Sequence, residues 1–96
     1  GVNIYPAESE QILLSHPAVA DAACIGVPHA EMGEELKALV VLCPSARGTE
    51  ASELVGYCRD RLSHYKCPKS VEFRPDLDRN AMGKLNKRKL RESYWP

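Results

Sequence analysis

The chain has 96 residues, thirteen Lys and Arg balanced by thirteen Asp and Glu, and a hydrophobic content of 44%. That length suits one small domain with a modest core, without the bulk to enclose a nucleotide and an acyl chain together. The apolar content excludes a disordered segment, and the densest apolar run, Leu36 to Cys43, contains Lys37 and is far too short to span a bilayer.

The sequence carries no signal-peptide pattern. Its opening on Gly1 suggests a piece of something longer, although methionine removal before Gly would leave the same start. The charge is unevenly spread. Residues 1–58 carry two basic against eight acidic side chains, and residues 59–96 eleven basic against five acidic. A basic half implies that anionic groups approach it or that it pairs with an acidic surface.

Tyr5-Pro6-Ala7-Glu8 predicts a helix start, with Pro6 at the first helical position and Glu8 and Glu10 in the first turn. Ile12 and Leu13 supply its buried stripe, and Ser15-His16-Pro17 ends it. Val19 to Val27 predicts a strand ending at Pro28, and Pro28 to Glu34 a polar loop. Leu36 to Leu42 predicts a second strand with Leu36, Ala38, Val40 and Leu42 on one face, giving an antiparallel hairpin with a long loop. After a turn at Pro44 to Gly48, Thr49 is the expected cap of a second helix containing Ala51, Leu54, Val55, Cys58 and Leu62. Val71 and Phe73 mark a short third strand, Arg74 to Gly83 a loop, and Asn86 the cap of a last, basic helix around Leu90. The expected fold is α+β, a small sheet of about three strands packed with helices.

Cys24, Cys43, Cys58 and Cys67 form no CxxC pair, and His64 gives no zinc spacing with them. Cys24, Cys43 and Cys58 lie in apolar runs, as reduced thiols do in a cytosolic protein. His16, His29 and His64 suit surface or capping positions, since no nucleophile–base arrangement emerges from their spacing.

The chemistry concentrates in Arg79-Asn80-Ala81-Met82-Gly83-Lys84-Leu85, followed by Lys87-Arg88-Lys89-Leu90. A lysine directly after glycine, at the end of a loop, presents a compact charge able to neutralise phosphoryl oxygens. A Walker A loop is excluded, because Leu85 follows Lys84. A solvated basic helix with no partner remains an alternative. A nucleic-acid patch is another, but it calls for interleaved aromatics and none lies between Phe73 and Tyr94.

Asn80 to Leu85 with Lys87-Arg88 and Leu90 resembles the final core motif of adenylate-forming ligases. The segment from Gly1 to Glu8, with Glu10, is similar to the stretch just past that family's interdomain hinge. Ile25-Gly26-Val27-Pro28 with Gly33-Glu34 resembles its hairpin, and Leu62 to Pro68 its L-x-x-Y-x-x-P motif. The pieces stand in the family's order and together span nearly the whole chain.

The resemblance implies that residues 1–96 are the mobile C-terminal domain of an acyl-CoA ligase, a fragment without the large N-terminal adenylation domain. It implies a cytoplasmic enzyme that uses a carboxylic acid, with a fatty acid favoured, together with ATP and CoA, and Mg2+ held by the absent domain. Neither nucleic acid nor an integral membrane segment belongs to that picture. Lys84 would bridge the carboxylate and the α-phosphate. Gly1, Val2 and Asn3 would line the pantetheine tunnel, and Tyr65, Lys66 and Lys69 would face the CoA phosphates. A carrier-protein-dependent synthetase is the alternative within the family.

Two departures stand out. Asp78 occupies a position where the family usually has proline, so the loop before Lys84 is expected to be less rigid or differently aimed. Ser9 replaces an aliphatic residue and is expected to weaken the first helix's buried face.

Overall fold

The computed structural model describes residues 5–31 and 33–96. Its elements are α1 (Pro6–Leu14), β1 (Val19–His29), β2 (Gly33–Leu42), α2 (Ala51–Arg59), β3 (Ser70–Phe73) and α3 (Lys87–Glu92), with single 3-10 turns at Pro44–Ala46 and His64–Lys66. The sheet order is β1-β2-β3; β2 pairs antiparallel with β1 and parallel with β3. The α+β expectation holds.

Both faces of the sheet are covered, so its strands carry apolar residues on both sides. On one face Leu13 of α1 and Leu54 and Cys58 of α2 pack on Ala22, Cys24, Leu36, Ala38 and Val40. Leu42 joins them, so the predicted shared face of β2 is correct. On the other face Leu77 and Leu90 pack on Ala23, Ile25, Val27 and Leu39.

The register slips by one residue between Val19 and Asp21, a β-bulge at Ala20. The bulge lets odd-numbered Val19 join even-numbered Ala22 and Cys24 in one cluster, against the two-residue period. It also falls beside Asp21, whose partners matter below.

Three expectations about loops and helix ends need correction. The hairpin loop is short: pairing continues through Pro28↔Glu34 and His29↔Gly33. Proline is tolerated there because β1 is an edge strand, and Gly33 accepts the positive φ of 80° at the turn. Glu50, not Thr49, is the N-cap residue of α2, with extended backbone at φ −94° and ψ 154° and no side-chain cap bond, while the Thr49 N–H donates to the Ala46 carbonyl of the preceding turn. Leu62 lies past the end of α2 and reaches the core from the following bend.

Ser9 is fully buried, and its hydroxyl donates to the Lys66 carbonyl. A buried hydroxyl with a partner ties α1 to the 64–66 turn instead of weakening the helix.

The free edge of β1 is covered by side chains. Glu10 accepts from the Cys24 N–H at 2.7 Å, and the Trp95 indole N–H donates to the Gly26 carbonyl at 2.8 Å. Such caps remove an exposed template for strand pairing.

Candidate functional site: the loop that carries Lys84

Past Phe73 the chain leaves the sheet and runs without regular structure to Asn86. Leu77 is its one buried anchor before Lys84, inserted beside Leu90 of α3 against the sheet face that carries Leu39. Beyond Leu77 the loop is exposed, and polar groups order it.

Asp76 accepts from the Asp78 N–H at 3.0 Å, a local Asx turn, and Asp78 takes a left-handed φ of 52°. Proline, locked near −65°, could not adopt that backbone. A proline at position 78 would therefore require a different backbone there.

Asn80 organises the tip. Its side-chain oxygen accepts from Met82 N at 2.9 Å and Lys84 N at 3.0 Å. Its backbone N–H donates to Lys84 O, and its carbonyl accepts from Gly83 N. Gly83 closes the turn at a φ of 81°, which glycine adopts without a Cβ penalty. Arg79 donates to Gly83 O at 2.6 Å and to both carboxylate oxygens of Asp21 at 2.7 Å. That guanidinium holds the Asp21 carboxyl below its usual value, chiefly by hydrogen bonding.

Lys84 itself is exposed, and its ammonium makes no hydrogen bond or ion pair with the described residues. Asn86 then caps α3 by accepting from Lys89 N, as expected from the sequence.

The remaining site residues lie elsewhere. Tyr65 and Lys66 sit on the 64–66 turn, and Lys69 just precedes β3, so the chain passes through that strand before reaching Lys84. Tyr65 is 54% exposed and meets Tyr5 edge-on at 5.8 Å between ring centres. The Lys66 ammonium is held by Glu8 at 3.0 Å and lies over the Tyr5 ring at 4.9 Å. Lys69 is exposed, its backbone N–H donating to Leu36 O. Gly1, Val2 and Asn3 lie outside the described residues. Among the described residues no three His, Cys, Asp or Glu side chains converge as a metal site, and no helix is long and apolar enough to cross a membrane.

Sequence reasoning missed Asp21, which is separated from Arg79 by 58 residues. No local pattern could pair them. It also left open what the basic half meets. Glu8, Glu10, Asp21 and Glu34 of the first half pair with Lys66, Lys87, Arg79 and Arg91 of the second. Much of the acidic surface that the basic half called for is therefore in the same chain.

Residues 8–84 match the AMP-binding enzyme C-terminal domain model. An indenyl-propanoyl:CoA ligase of Mycobacterium tuberculosis is 47% identical over 92 residues, which cover 96% of this chain and 18% of the relative. A long-chain-fatty-acid–CoA ligase of Bacillus subtilis is 44% identical, with 96% of this chain and 16% of the relative covered. Among solved structures, the fatty acyl CoA synthetase of Mycobacterium tuberculosis superposes with a TM-score of 0.88 at 39% identity, over 98% of this chain and 19% of its own. The chain thus spans under a fifth of each of these relatives. With a match over most of its length and the same fold, the chain belongs to the family of AMP-binding enzyme C-terminal domains.

Proposed function

We propose that residues 1–96 form the single mobile C-terminal domain of a carboxylate–CoA ligase and supply the lysine of its first half-reaction. In that step a carboxylate attacks the α-phosphate of ATP, pyrophosphate leaves and an acyl-adenylate forms; in the second the CoA thiol attacks the acyl carbonyl and AMP leaves. The observation that carries the reading is the presentation of Lys84: an exposed ammonium without a partner among the described residues, on a loop tip held by Asn80 and Arg79. Two anions must meet in the first step. A cation fixed between them offsets their repulsion without reorganising as charge develops.

Gly1, Val2 and Asn3 belong to the pantetheine path in this reading, and Tyr65, Lys66 and Lys69 to the CoA phosphates. Lys66 already shares its charge with Glu8, which leaves Lys69 as the freer cation of the pair. The remainder of the ligase provides the nucleotide pocket, the acyl pocket and the site for Mg2+, and the enzyme works in the cytoplasm. A fatty acid is the favoured substrate, on the support of the long-chain-fatty-acid–CoA ligase relative.

The test is an assay of the full-length protein with ATP, CoA and a panel of carboxylic acids, beside the 96-residue chain alone. Acid-dependent pyrophosphate release and loss of free CoA thiol are expected from the full-length protein, and neither from the chain alone. Turnover by the chain alone, or a full-length protein that ignores CoA, would refute the reading. Salt-sensitive binding of the chain to nucleic acid would instead favour the basic-module alternative.

A further inference from the structure

The peptide between Gly83 and Lys84 is held at both of its polar ends. Its carbonyl oxygen accepts from Arg79 Nη1 at 2.6 Å, and its N–H donates to Asn80 Oδ1 at 3.0 Å. Asn80 is local, four residues away, and could hold the turn wherever the turn went. Arg79 is not only local. Its Nε and Nη2 lie 2.7 Å from Asp21 Oδ2 and Oδ1, a two-pronged fork onto β1.

Asp21 is itself fixed. Its Oδ1 accepts from the Ala22 N–H at 2.9 Å, and it follows directly on the bulge at Ala20. Bulges re-aim side chains at strand ends. Both partners are partly sheltered, Arg79 at 35% and Asp21 at 24% side-chain exposure. Three donors of one guanidinium thus connect the sheet to the peptide from which Lys84 springs. A lysine at position 79, a single point charge, could not span all three acceptors.

We propose that Asp21 and Arg79 are positioning residues for Lys84, fixing the Gly83–Lys84 peptide against the sheet so that the ammonium arrives correctly in the adenylation step. This rests on the reading of Lys84 given above. A surface ion pair of ordinary kind contributes little to stability. The pair's role here is geometric: a displacement of about 1 Å at a reacting group can cost about 10²-fold in rate.

The experiment uses the full-length ligase and compares Asp21→Asn, Asp21→Glu, Arg79→Lys, Lys84→Ala and the double variant Asp21→Asn with Lys84→Ala. Two rates are read: acid-dependent pyrophosphate release, and acyl transfer to CoA from preformed acyl-adenylate. Asp21→Asn and Arg79→Lys should lower the first by about 10- to 10²-fold. The KM for ATP and the second rate should stay near wild type, and Asp21→Glu should recover much of the loss. In the Lys84→Ala background, Asp21→Asn should cause no further fall, since residues acting through one another are not additive.

Equal slowing of both half-reactions by Asp21→Asn, or an undiminished loss in the Lys84→Ala background, would overturn the proposal. If Lys84→Ala slows adenylation and Asp21→Asn does not, this proposal alone fails. If Lys84→Ala leaves adenylation intact, the reading of Lys84 fails and takes the proposal with it.

Discussion

The sheet with α1 and α2, and the loop from Arg74 to Asn86, are ordered by different forces. The first is held by side chains removed from water: Leu13, Cys24, Ala38, Val40, Leu54 and Cys58 are fully buried. The second buries Leu77 ahead of Lys84 and packs Leu85 partly after it, and is otherwise tied by Arg74 to Glu72 and Tyr94, by an Asx turn, one asparagine and one arginine fork. The difference shows how a small domain can present a charge with precision. Burial would order the loop but would also desolvate its lysine and favour the neutral amine. Hydrogen bonds order the backbone and leave the ammonium in water.

The comparison predicts separable damage. The largest effect on stability belongs to the packed side. Leu54→Ala removes a fully buried side chain from between α2 and the sheet, at a cost of about 2–5 kcal/mol. Urea unfolding of the chain should show a lower midpoint with an unchanged slope. A shift no larger than that of a surface substitution would mean that α2 does not close this core.

Acid should act more gently, and on the loop. The Arg79 fork holds Asp21 below its ordinary carboxylate value, so the paired form contributes stability that is complete above that value, near 3.8. The contribution is lost as pH falls further, through the lowered folded value. Glu72 behaves likewise, its carboxyl lowered first by the Tyr94 hydroxyl and then by Arg74. Stability followed by urea unfolding from pH 6 to pH 2 should therefore fall mainly below pH 4, and Asp21→Asn should flatten part of that fall. An Asp21→Asn profile that parallels wild type throughout would contradict the pairing.

Much of this was legible in the sequence, and what was not has physical reasons. Pro6 and Asn86 mark helix starts by chemistry that acts within one turn, and both positions came out as expected. The two-residue period of β2 was equally readable, but it identified one buried face where the sheet has two. Ala23, Ile25 and Leu39 on the other face are covered by Leu77 and Leu90, whose approach depends on the path of a loop with no pattern. The parallel pairing of β3 with β2 is a matter of topology that a four-residue strand does not encode locally.

Charge indicated an acidic partner for the basic half but not where it lies. A count by halves shows an acidic and a basic segment, while the fold interleaves them through Lys66–Glu8, Arg79–Asp21 and Lys87–Glu10. Lys84 stands out from its neighbours in sequence; Asp21, which Arg79 ties to the same loop, needed the fold.

The most direct test of the account is the ratio of the two half-reactions in the full-length enzyme carrying Lys84→Ala. Losing one well-placed electrostatic contact costs about 3–4 kcal/mol, or roughly 10²–10³ in rate. Pyrophosphate release from ATP and acid should fall by that much, while transfer to CoA from preformed acyl-adenylate falls far less. Lys84→Arg should rescue poorly, because a planar fork does not replace a compact ammonium. Lys89→Ala, on the same basic run and exposed on α3, should leave both rates near wild type. Equal losses in the two half-reactions, or no loss in either, would contradict the role assigned to Lys84.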